Sequence, residues 1–251
     1  MKIVVIGGTG LIGSKVVTKL VDAGHDAVPA APNTGVNTIT GEGLAEVLDG
    51  ASVVVDVSNS PSFEDEAVYN FFDTSTRNLL YAATAAGVDH VVALSVVGTQ
   101  SHPEIAYFRA KIAQENLIKV SGVPYSLVHA TQFFEFVPSI ANASTVGENV
   151  MIPPVLIQPI AANDVANVVA RVASAAPLRG MIEIAGPEQF RFDELIRQGL
   201  RAQGDPRTVV ADPHAPYYGA EISERTLLPE GTAELAATTF AQWLALSVAA
   251  M

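Results

Sequence analysis

The sequence predicts an α/β protein built on a doubly wound parallel sheet. Short runs of β-branched residues alternate with helical patterns over residues 1–130, as they do when helices connect parallel strands. Of the 251 residues, 49% are apolar and only 16% are charged, which suits strands covered on both faces. A chain of this length can bury one large core with a small lobe attached. We therefore expect a single domain over 1–251, with a core at 1–135 and a smaller lobe at 136–251.

Five strands and four helices are predicted in the core. The strands lie at 2–6, 26–30, 52–57, 90–95 and 124–129, and the helices lie near 11–23, 43–48, 64–86 and 105–121. Gly24 and Gly87 follow the first and third helices, where glycine commonly ends a helix. Beyond residue 130 the pattern loosens, with short strands near 155–160 and 181–185, and helices from 163, near 192–203 and near 233–248. We expect this second stretch to form a lobe on the edge of the sheet, where a substrate would lie.

The first thirteen residues give the most specific signal. The apolar strand 2–6 leads into glycines at positions 7, 10 and 13, and an amphipathic helix follows. Gly7 allows a sharp turn, Gly10 lets backbone N–H groups approach a phosphate, and Gly13 permits close packing of helix against strand. The helix N-terminus adds partial positive charge. The pattern therefore predicts a Rossmann-type fold whose first turn binds the pyrophosphate of a dinucleotide.

The composition excludes several other functions. A net charge of −12 argues against binding to nucleic acid or to an anionic membrane surface. The chain has no cysteine, so disulfides, thiol catalysis and zinc–thiolate sites are excluded, and we expect no metal. The N-terminus reads as a core strand rather than a leader, and no apolar run reaches membrane-spanning length, so we expect a cytoplasmic protein. Many alanines and only five lysines indicate a bacterial source.

A second signal combines Ser95, Tyr107 and Lys111. Ser95 ends the predicted strand 90–95, and Tyr107 and Lys111 share one face of the predicted helix 105–121 because they are four residues apart. A cation beside a phenol lowers the pKa of the phenol, which fits it for proton exchange with a carbonyl oxygen. A serine at the end of a strand can hydrogen-bond the same oxygen. The structural alternative is that Tyr107 packs at the helix start and Lys111 is solvated.

Together these motifs resemble the atypical short-chain dehydrogenase/reductases. The segments that carry the resemblance are 7–13 (GGTGLIG), 94–98 (LSVVG), 107–111 (YFRAK) with Glu115, 121–127 (SGVPYSL), 163–166 (NDVA) and 185–188 (AGPE). The branch that looks most similar is the NmrA-like, NAD(P)-binding group, which includes quinone oxidoreductase-like proteins. The resemblance covers residues 1–200 and is specific for fold and cofactor class, but not for substrate.

The resemblance implies a set of site residues. Ser95, Tyr107 and Lys111 correspond to the catalytic serine, tyrosine and lysine of the family, and Lys111 also holds the nicotinamide ribose. The implied cofactor-binding residues are Gly7, Thr9, Gly10, Leu11, Ile12, Gly13, Ser58, Asn59, Lys111, Thr131 and Gln132. Phe133, Phe134 and Phe136 would give an aromatic wall for a flat substrate. Alternatively, these phenylalanines form ordinary core between the two parts of the chain.

Two positions depart from the family pattern. At the end of strand 26–30, the segment 28–34 carries neither the acidic residue typical of NAD enzymes nor the base that binds the 2′-phosphate of NADP, and Pro32 stands where relatives often carry arginine. Because that phosphate would lack a cation here, we expect NAD(H) rather than NADP(H) as cofactor. His129 stands where relatives commonly carry arginine. It is either a proton shuttle beside the substrate or a structural histidine at a strand end.

The sequence therefore predicts an NAD(P)-dependent oxidoreductase that moves hydride between nicotinamide and a quinone or aromatic carbonyl compound. Two alternatives stay open, a non-catalytic NAD(P)-sensing regulator and a polyketide-tailoring monooxygenase on the same fold. The expected partners are a small aromatic or carbonyl substrate and a second copy of the chain, since long helices such as 64–86 and 105–121 pair in relatives. His214, Tyr217 and Tyr218 form either a polar lid over the ligand or an ordinary surface loop.

Overall fold

The computed structural model describes residues 1–249 and confirms the Rossmann-type α/β fold. The strands are β1 (Lys2–Ile6), β2 (Asp26–Ala30), β3 (Val53–Asp56), β4 (His90–Val96), β5 (Tyr125–Ala130), β6 (Thr145–Val146), β7 (Asn149–Ile152), β8 (Leu156–Ile157), β9 (Gly180–Ala185), β10 (Phe190–Arg191), β11 (Thr208–Ala211) and β12 (Glu234–Leu235). The helices are α1 (Gly13–Asp22), α2 (Leu44–Leu48), α3 (Asp65–Ala86), α4 (Ala106–Val120), α5 (Val137–Ala143), α6 (Ala162–Ala173), α7 (Phe192–Ala202) and α8 (Phe240–Ala249).

Seven of the strands form one parallel sheet in the order β12-β9-β5-β4-β3-β1-β2. Successive residues of β1 pack on opposite faces: Ile3 and Val5 face α1 and α6, whereas Val4 and Ile6 face the core beneath α2 and α3. This explains why residues 3–6 of the strand are all apolar instead of alternating with polar residues. All the parallel strands end at one edge of the sheet, which is where doubly wound folds bind their ligands.

The C-terminal part of the chain contributes to two structures at once. β9 and β12 extend the main sheet, and α6 packs against α1, so the sheet continues past the predicted division at residue 135. The remaining elements form a smaller lobe with two short sheets, β11-β7-β6 and β10-β8. Its separate apolar core is centred on residues such as Phe134, Phe192 and Phe240. The lobe therefore adjoins the carboxyl edge of the sheet and is not an independent unit that follows the sheet along the chain.

The predicted helix near 233–248 begins seven residues later than expected, at Phe240. Residues 234–235 form the edge strand β12 beside β9. The helix begins at 240 because Thr239 and Gln242 cap each other reciprocally: the Thr239 N–H donates to Gln242 Oε1, and the Gln242 N–H donates to Thr239 Oγ1. Within residues 1–249, no helix combines the length and the apolar character needed to cross a membrane.

Candidate active site

The turn between β1 and α1 is built so tightly that it needs glycine. Gly7 has a φ of +76°, and its N–H donates to the Ala30 carbonyl at 2.8 Å. A Cβ added at Gly13 would lie 2.1 Å from the Gly7 carbonyl oxygen. The backbone N–H groups of Leu11 and Ile12 have no hydrogen-bond partner among residues 1–249. The turn therefore offers unpaired N–H groups at a helix N-terminus, which is the arrangement that binds phosphate.

The other predicted residues of this turn divide into two groups. Thr9 and Leu11 are exposed at the mouth of the turn, and the Thr9 hydroxyl donates to Asn33 Oδ1 at 3.0 Å. Ile12 is buried in the core beside Val16, so its side chain packs and only its backbone can face a cofactor. Asn33 is a candidate site residue that the sequence did not indicate, although it lies in the segment that follows β2.

The end of β3 brings a second unassigned residue, Asp56, beneath this turn. Asp56 is buried, and its Oδ1 accepts hydrogen bonds from the Ser58 N–H at 3.0 Å and the Ser58 hydroxyl at 2.6 Å. A Cβ added at Gly7 would lie 2.9 Å from the Ser58 backbone, so the two segments touch. The predicted residue Ser58 is thus held beside the glycine turn by a buried carboxylate.

Tyr107 lies at the start of α4 in a cluster of aromatic rings. Its ring centroid is 5.7 Å from that of Phe63, 5.8 Å from that of Phe72 and 6.1 Å from that of Tyr218. Its hydroxyl donates to Asn59 Oδ1 at 3.0 Å. The predicted residues Tyr107 and Asn59 are therefore in direct contact at the carboxyl edge of the sheet.

The expected lowering of the Tyr107 pKa is wrong for this arrangement. Burial raises the pKa of Tyr107, and Tyr218 and Asp56 add to the increase. Lys111 does not offset this, because its ammonium group is directed towards β4 and not towards the phenol. Tyr107 is therefore a neutral phenol, able to donate a proton, across the physiological pH range.

Lys111 is almost completely buried, with 2% of its surface exposed. Its ammonium group donates to the Leu94 carbonyl at 2.8 Å and to Gln114 Oε1, and it lies 4.3 Å from the centroid of the Phe72 ring. Burial lowers the pKa of Lys111 to about 8, although Asp56 and Glu115 raise it in part. The alternative that Lys111 is solvated is therefore wrong.

Ser95 belongs to a different cluster, centred on the buried carboxylate of Glu115. The Ser95 hydroxyl donates to Glu115 Oε1 at 2.6 Å, and Lys119 Nζ lies 3.1 Å from Oε2. His129 Nε2 is 3.0 Å from Oε1, without the alignment of a good hydrogen bond. Burial alone would raise the pKa of Glu115, but His129, Ser95 and Lys119 together lower it to about 2.

This cluster changes how Ser95 and His129 are interpreted. Both side chains are buried, at 2% and 3% exposure, and both face Glu115. In this structure the Ser95 hydroxyl proton is directed to Glu115. His129 occupies the structural position at the end of β5, pairing across the sheet with Ser95.

Two predicted residues just after β5 have unused hydrogen-bonding capacity. Thr131 Oγ1 and both atoms of the Gln132 amide are buried without a hydrogen bond of good geometry among residues 1–249, although Gln132 lies beside the Tyr217 phenol. Buried polar groups normally have a partner, so unused ones at the carboxyl edge of the sheet fit a ligand site. Together with the glycine turn, they make the site suitable for a dinucleotide.

The predicted aromatic wall is only partly present. Phe134 is completely buried in the lobe core, with its ring 5.1 Å from Phe240, so it is not available to a substrate. Phe133 and Phe136 are half-buried and stack on each other at 5.1 Å. The exposed rings that contact Tyr107 are instead Phe63 and Tyr218, which are 46% and 39% exposed and 5.2 Å apart. The sequence reasoning assigned no role to Phe63, because no local pattern relates it to residue 107.

Known proteins match this chain in sequence. Residues 7–176 match the family described as NAD(P)H-binding. The (4-alkanoyl-5-oxo-2,5-dihydrofuran-3-yl)methyl phosphate reductase of Streptomyces griseus subsp. griseus is 28% identical over 223 residues, which are 81% of this chain and 74% of that reductase. The photosystem II assembly factor Ycf39 of Cyanophora paradoxa is 27% identical over 149 residues, 54% of this chain. The matched region is 46% of that factor, so it spans less than half of its length.

Solved structures show the same fold at low identity. MoeE5 in complex with UDP-glucose and NAD has a TM-score of 0.74 and 18% identity, with 100% of this chain and 99% of that chain covered. The Escherichia coli NADPH-dependent quinone oxidoreductase QOR2 complexed with NADPH has a TM-score of 0.64 and 20% identity, with 84% of this chain and 77% of that chain covered. The predicted membership of an NAD(P)-binding family is confirmed by the match over residues 7–176. The chain belongs to the NAD(P)H-binding family.

Proposed function

We propose that this protein is an NAD(P)-dependent oxidoreductase that reduces a quinone or an aromatic carbonyl compound. The observation that carries the proposal is the neutral Tyr107 phenol among aromatic rings, at the same edge of the sheet as the glycine turn. The reductase from Streptomyces and the Escherichia coli quinone oxidoreductase, both similar to this chain, support the reaction class.

Tyr107, Lys111 and Ser95 would have separate roles in a carbonyl reduction. When bound, the reduced cofactor supplies the hydride that adds to the carbonyl carbon. Tyr107 donates its proton to the carbonyl oxygen, and its raised pKa keeps that proton in place at neutral pH. Lys111 would donate to a ribose hydroxyl of the cofactor with the one N–H that Leu94 and Gln114 leave unused. Ser95 stays bonded to Glu115 and supports the end of β4.

The preference for a flat substrate rests on Phe63 and Tyr218. Their partly exposed rings come from the loop before α3 and from the lobe, and both contact the Tyr107 ring. A planar ring of the substrate can replace one of these ring contacts next to the phenol that donates the proton. Stacking of aromatic rings contributes about 0.5–1.5 kcal/mol per pair beyond the buried area, enough to favour quinones over aliphatic ketones.

We also propose that NAD(H) is preferred over NADP(H). Residues 28–36, around the end of β2, carry no lysine or arginine to neutralise a 2′-phosphate. Asn33 lies beside Thr9 in this segment, where its amide can hydrogen-bond a ribose hydroxyl. An uncompensated phosphate dianion at this edge would be disfavoured in a protein with a net charge of −12.

The test follows nicotinamide absorbance with NADH and then NADPH against a panel of quinones, aromatic ketones and aliphatic ketones. We expect oxidation of NADH by the aromatic compounds, and a loss of at least about 100-fold in turnover for Tyr107→Phe, the usual effect of removing a general acid. NADH binding should stay nearly unchanged. Tyr81→Phe is the matched control, because Tyr81 is 81% exposed on α3.

Three results would overturn the proposal. Equal turnover by Tyr107→Phe and wild type would remove Tyr107 from the reaction. Binding of both redox forms with no oxidation of any compound would favour an NAD(P)-sensing role, which the similarity to an assembly factor also makes relevant. Oxygen consumption with an aromatic substrate would favour a monooxygenase.

A further inference from the structure

A buried chain of hydrogen bonds connects Lys111 to the end of β3. Lys111 Nζ donates to Gln114 Oε1, Gln114 Nε2 donates to Asp56 Oδ2 at 2.8 Å, and Asp56 Oδ1 accepts both bonds from Ser58. Gln114 and Asp56 are 1% and 3% exposed. The chain therefore runs without solvent from the lysine to the segment that touches the glycine turn.

We propose that Gln114 and Asp56 are positioning residues that fix the Lys111 ammonium group at the carboxyl end of β4, charged and directed for the ribose of the cofactor. The inference rests on the proposed function only in placing Lys111 at the cofactor. It does not depend on which compound is reduced.

An amide is chemically suited to the middle position. A glutamine side chain can accept from an ammonium group through its oxygen and donate to a carboxylate through its nitrogen at the same time. The two end groups therefore fix the orientation of the Gln114 amide. A direct ion pair between Lys111 and Asp56 would instead draw the ammonium group away from Leu94 and towards β3. The intervening amide lets Asp56 act on the charge without moving it.

The surroundings of Lys111 leave one direction open for a ligand. Leu94 and Gln114 accept two of its three N–H bonds, and the Phe72 ring covers another side at 4.3 Å. The third N–H has no oxygen acceptor within residues 1–249. A ribose hydroxyl would accept this bond, and buried donors normally have an acceptor.

The charge of Lys111 depends on its neighbours. Burial disfavours the ammonium form, whereas Asp56 on β3 and Glu115 on α4 favour it. The resulting pKa of Lys111 is about 8. On α3 the group facing Lys111 is the uncharged ring of Phe72. If Asp56 loses its charge, one of the two favourable contributions disappears, and the pKa must fall.

The experiment titrates NADH into wild type, Asp56→Asn, Gln114→Met and Lys111→Met from pH 6 to pH 10, using cofactor fluorescence. Wild-type affinity should be constant at low pH and fall above pH about 8, since only the charged lysine binds the ribose well. For Asp56→Asn the fall should begin about one pH unit lower, the size of effect that a nearby opposite charge has on a pKa. Gln114→Met should bind about tenfold more weakly at pH 7, because hydrogen bonds to charged groups are strong.

A second readout separates positioning from general damage. The pKa of Lys111 itself, measured by competitive acetylation of the protein without cofactor, should fall in Asp56→Asn and stay near the wild-type value in the control Asp89→Asn, whose side chain is exposed. An unchanged Lys111 pKa and an unchanged pH profile in Asp56→Asn would overturn the inference. If Lys111→Met binds NADH like wild type, the proposed place of Lys111 at the cofactor fails instead.

Discussion

Gly10 and Gly13 lie three residues apart in the first turn, but their surroundings differ. A Cβ at Gly13 would collide with the Gly7 carbonyl at 2.1 Å, inside the protein. A Cβ at Gly10 would come no closer than 3.2 Å to that carbonyl and would otherwise point outward. Gly13 is therefore required by the packing of α1 on β1, whereas the absence of a side chain at Gly10 leaves space for a ligand.

Alanine substitution separates these two requirements. Gly13→Ala should lower the free energy of unfolding by about 1–3 kcal/mol, the usual cost of overpacking, and impair NADH binding with it. Gly10→Ala should keep the wild-type unfolding temperature but weaken NADH binding by about tenfold or more, equivalent to at least about 1.4 kcal/mol. Thermal unfolding and NADH titration of both variants provide the check. Wild-type affinity in Gly10→Ala would show that no phosphate approaches this turn.

At this scale, the sequence predicts residue roles only where they depend on local spacing. Gly7 and Gly13 follow from the turn itself, and the face shared by Tyr107 and Lys111 follows from helical periodicity. The raised pKa of Tyr107 does not, because it depends on burial beside Tyr218 and Asp56, which are distant in sequence. Asp56 was overlooked for the same reason, since its partner Gln114 is 58 residues away.

The buried carboxylate of Glu115 connects helix α4 to the sheet through hydrogen bonds and ion pairs. Glu115 on α4 contacts Ser95 on β4 and His129 on β5, and Thr99 and Gln100 also donate to it, at 3.3 and 3.0 Å. Since Tyr107 and Lys111 are carried by the same helix, these contacts fix the helix position relative to the strand ends. The Glu115 cluster thus supports the site without belonging to it.

Glu115→Gln tests this attachment through its pH dependence. Because the pKa of Glu115 in the folded protein is about 2, below its ordinary 4.5, the ionised carboxylate stabilises the fold fully above pH 4.5. That contribution is lost as pH falls from 4.5 to about 2. The variant should be less stable by on the order of 3 kcal/mol at pH 7, with a smaller further loss on acidification.

Denaturant unfolding at pH 7 and pH 3 measures both quantities. The control is Glu148→Gln, because Glu148 is exposed between β6 and β7. If wild type and Glu115→Gln lose equal stability on acidification, Glu115 does not hold α4 in the way its contacts indicate.

Elements of the core were predicted more accurately than those of the lobe. Strands β1 and β2 have the predicted bounds, β4 differs by one residue at its C-terminal end, and β3 and β5 differ by one residue at each end. The agreement is close because apolar runs between glycine turns define these strands locally. The edge strand β12 was missed because it has two residues and exists only through pairing with β9. The start of α8 could have been found from the capping pair Thr239 and Gln242.

For the whole molecule, the proposed ligand site lies at the sheet edge, and both the core and the lobe contribute to it. The core contributes the glycine turn, Asp56 and Lys111, and the C-terminal lobe contributes Tyr218 next to Tyr107. Tyr218 has a φ of +45° in a tight turn closed by hydrogen bonds between Tyr217 and Ala220. Such a backbone costs about 1–3 kcal/mol in a residue other than glycine, so the lobe holds this ring in place against a local preference.

The most direct test of a cofactor site at this edge is hydrogen–deuterium exchange with and without NADH, resolved by peptide. We predict slower exchange on NADH binding in three separate segments, around residues 7–13, 56–60 and 131–132, since these follow β1, β3 and β5 at one edge of the sheet. Protection confined to one of them, or found instead only on the lobe, would contradict the account.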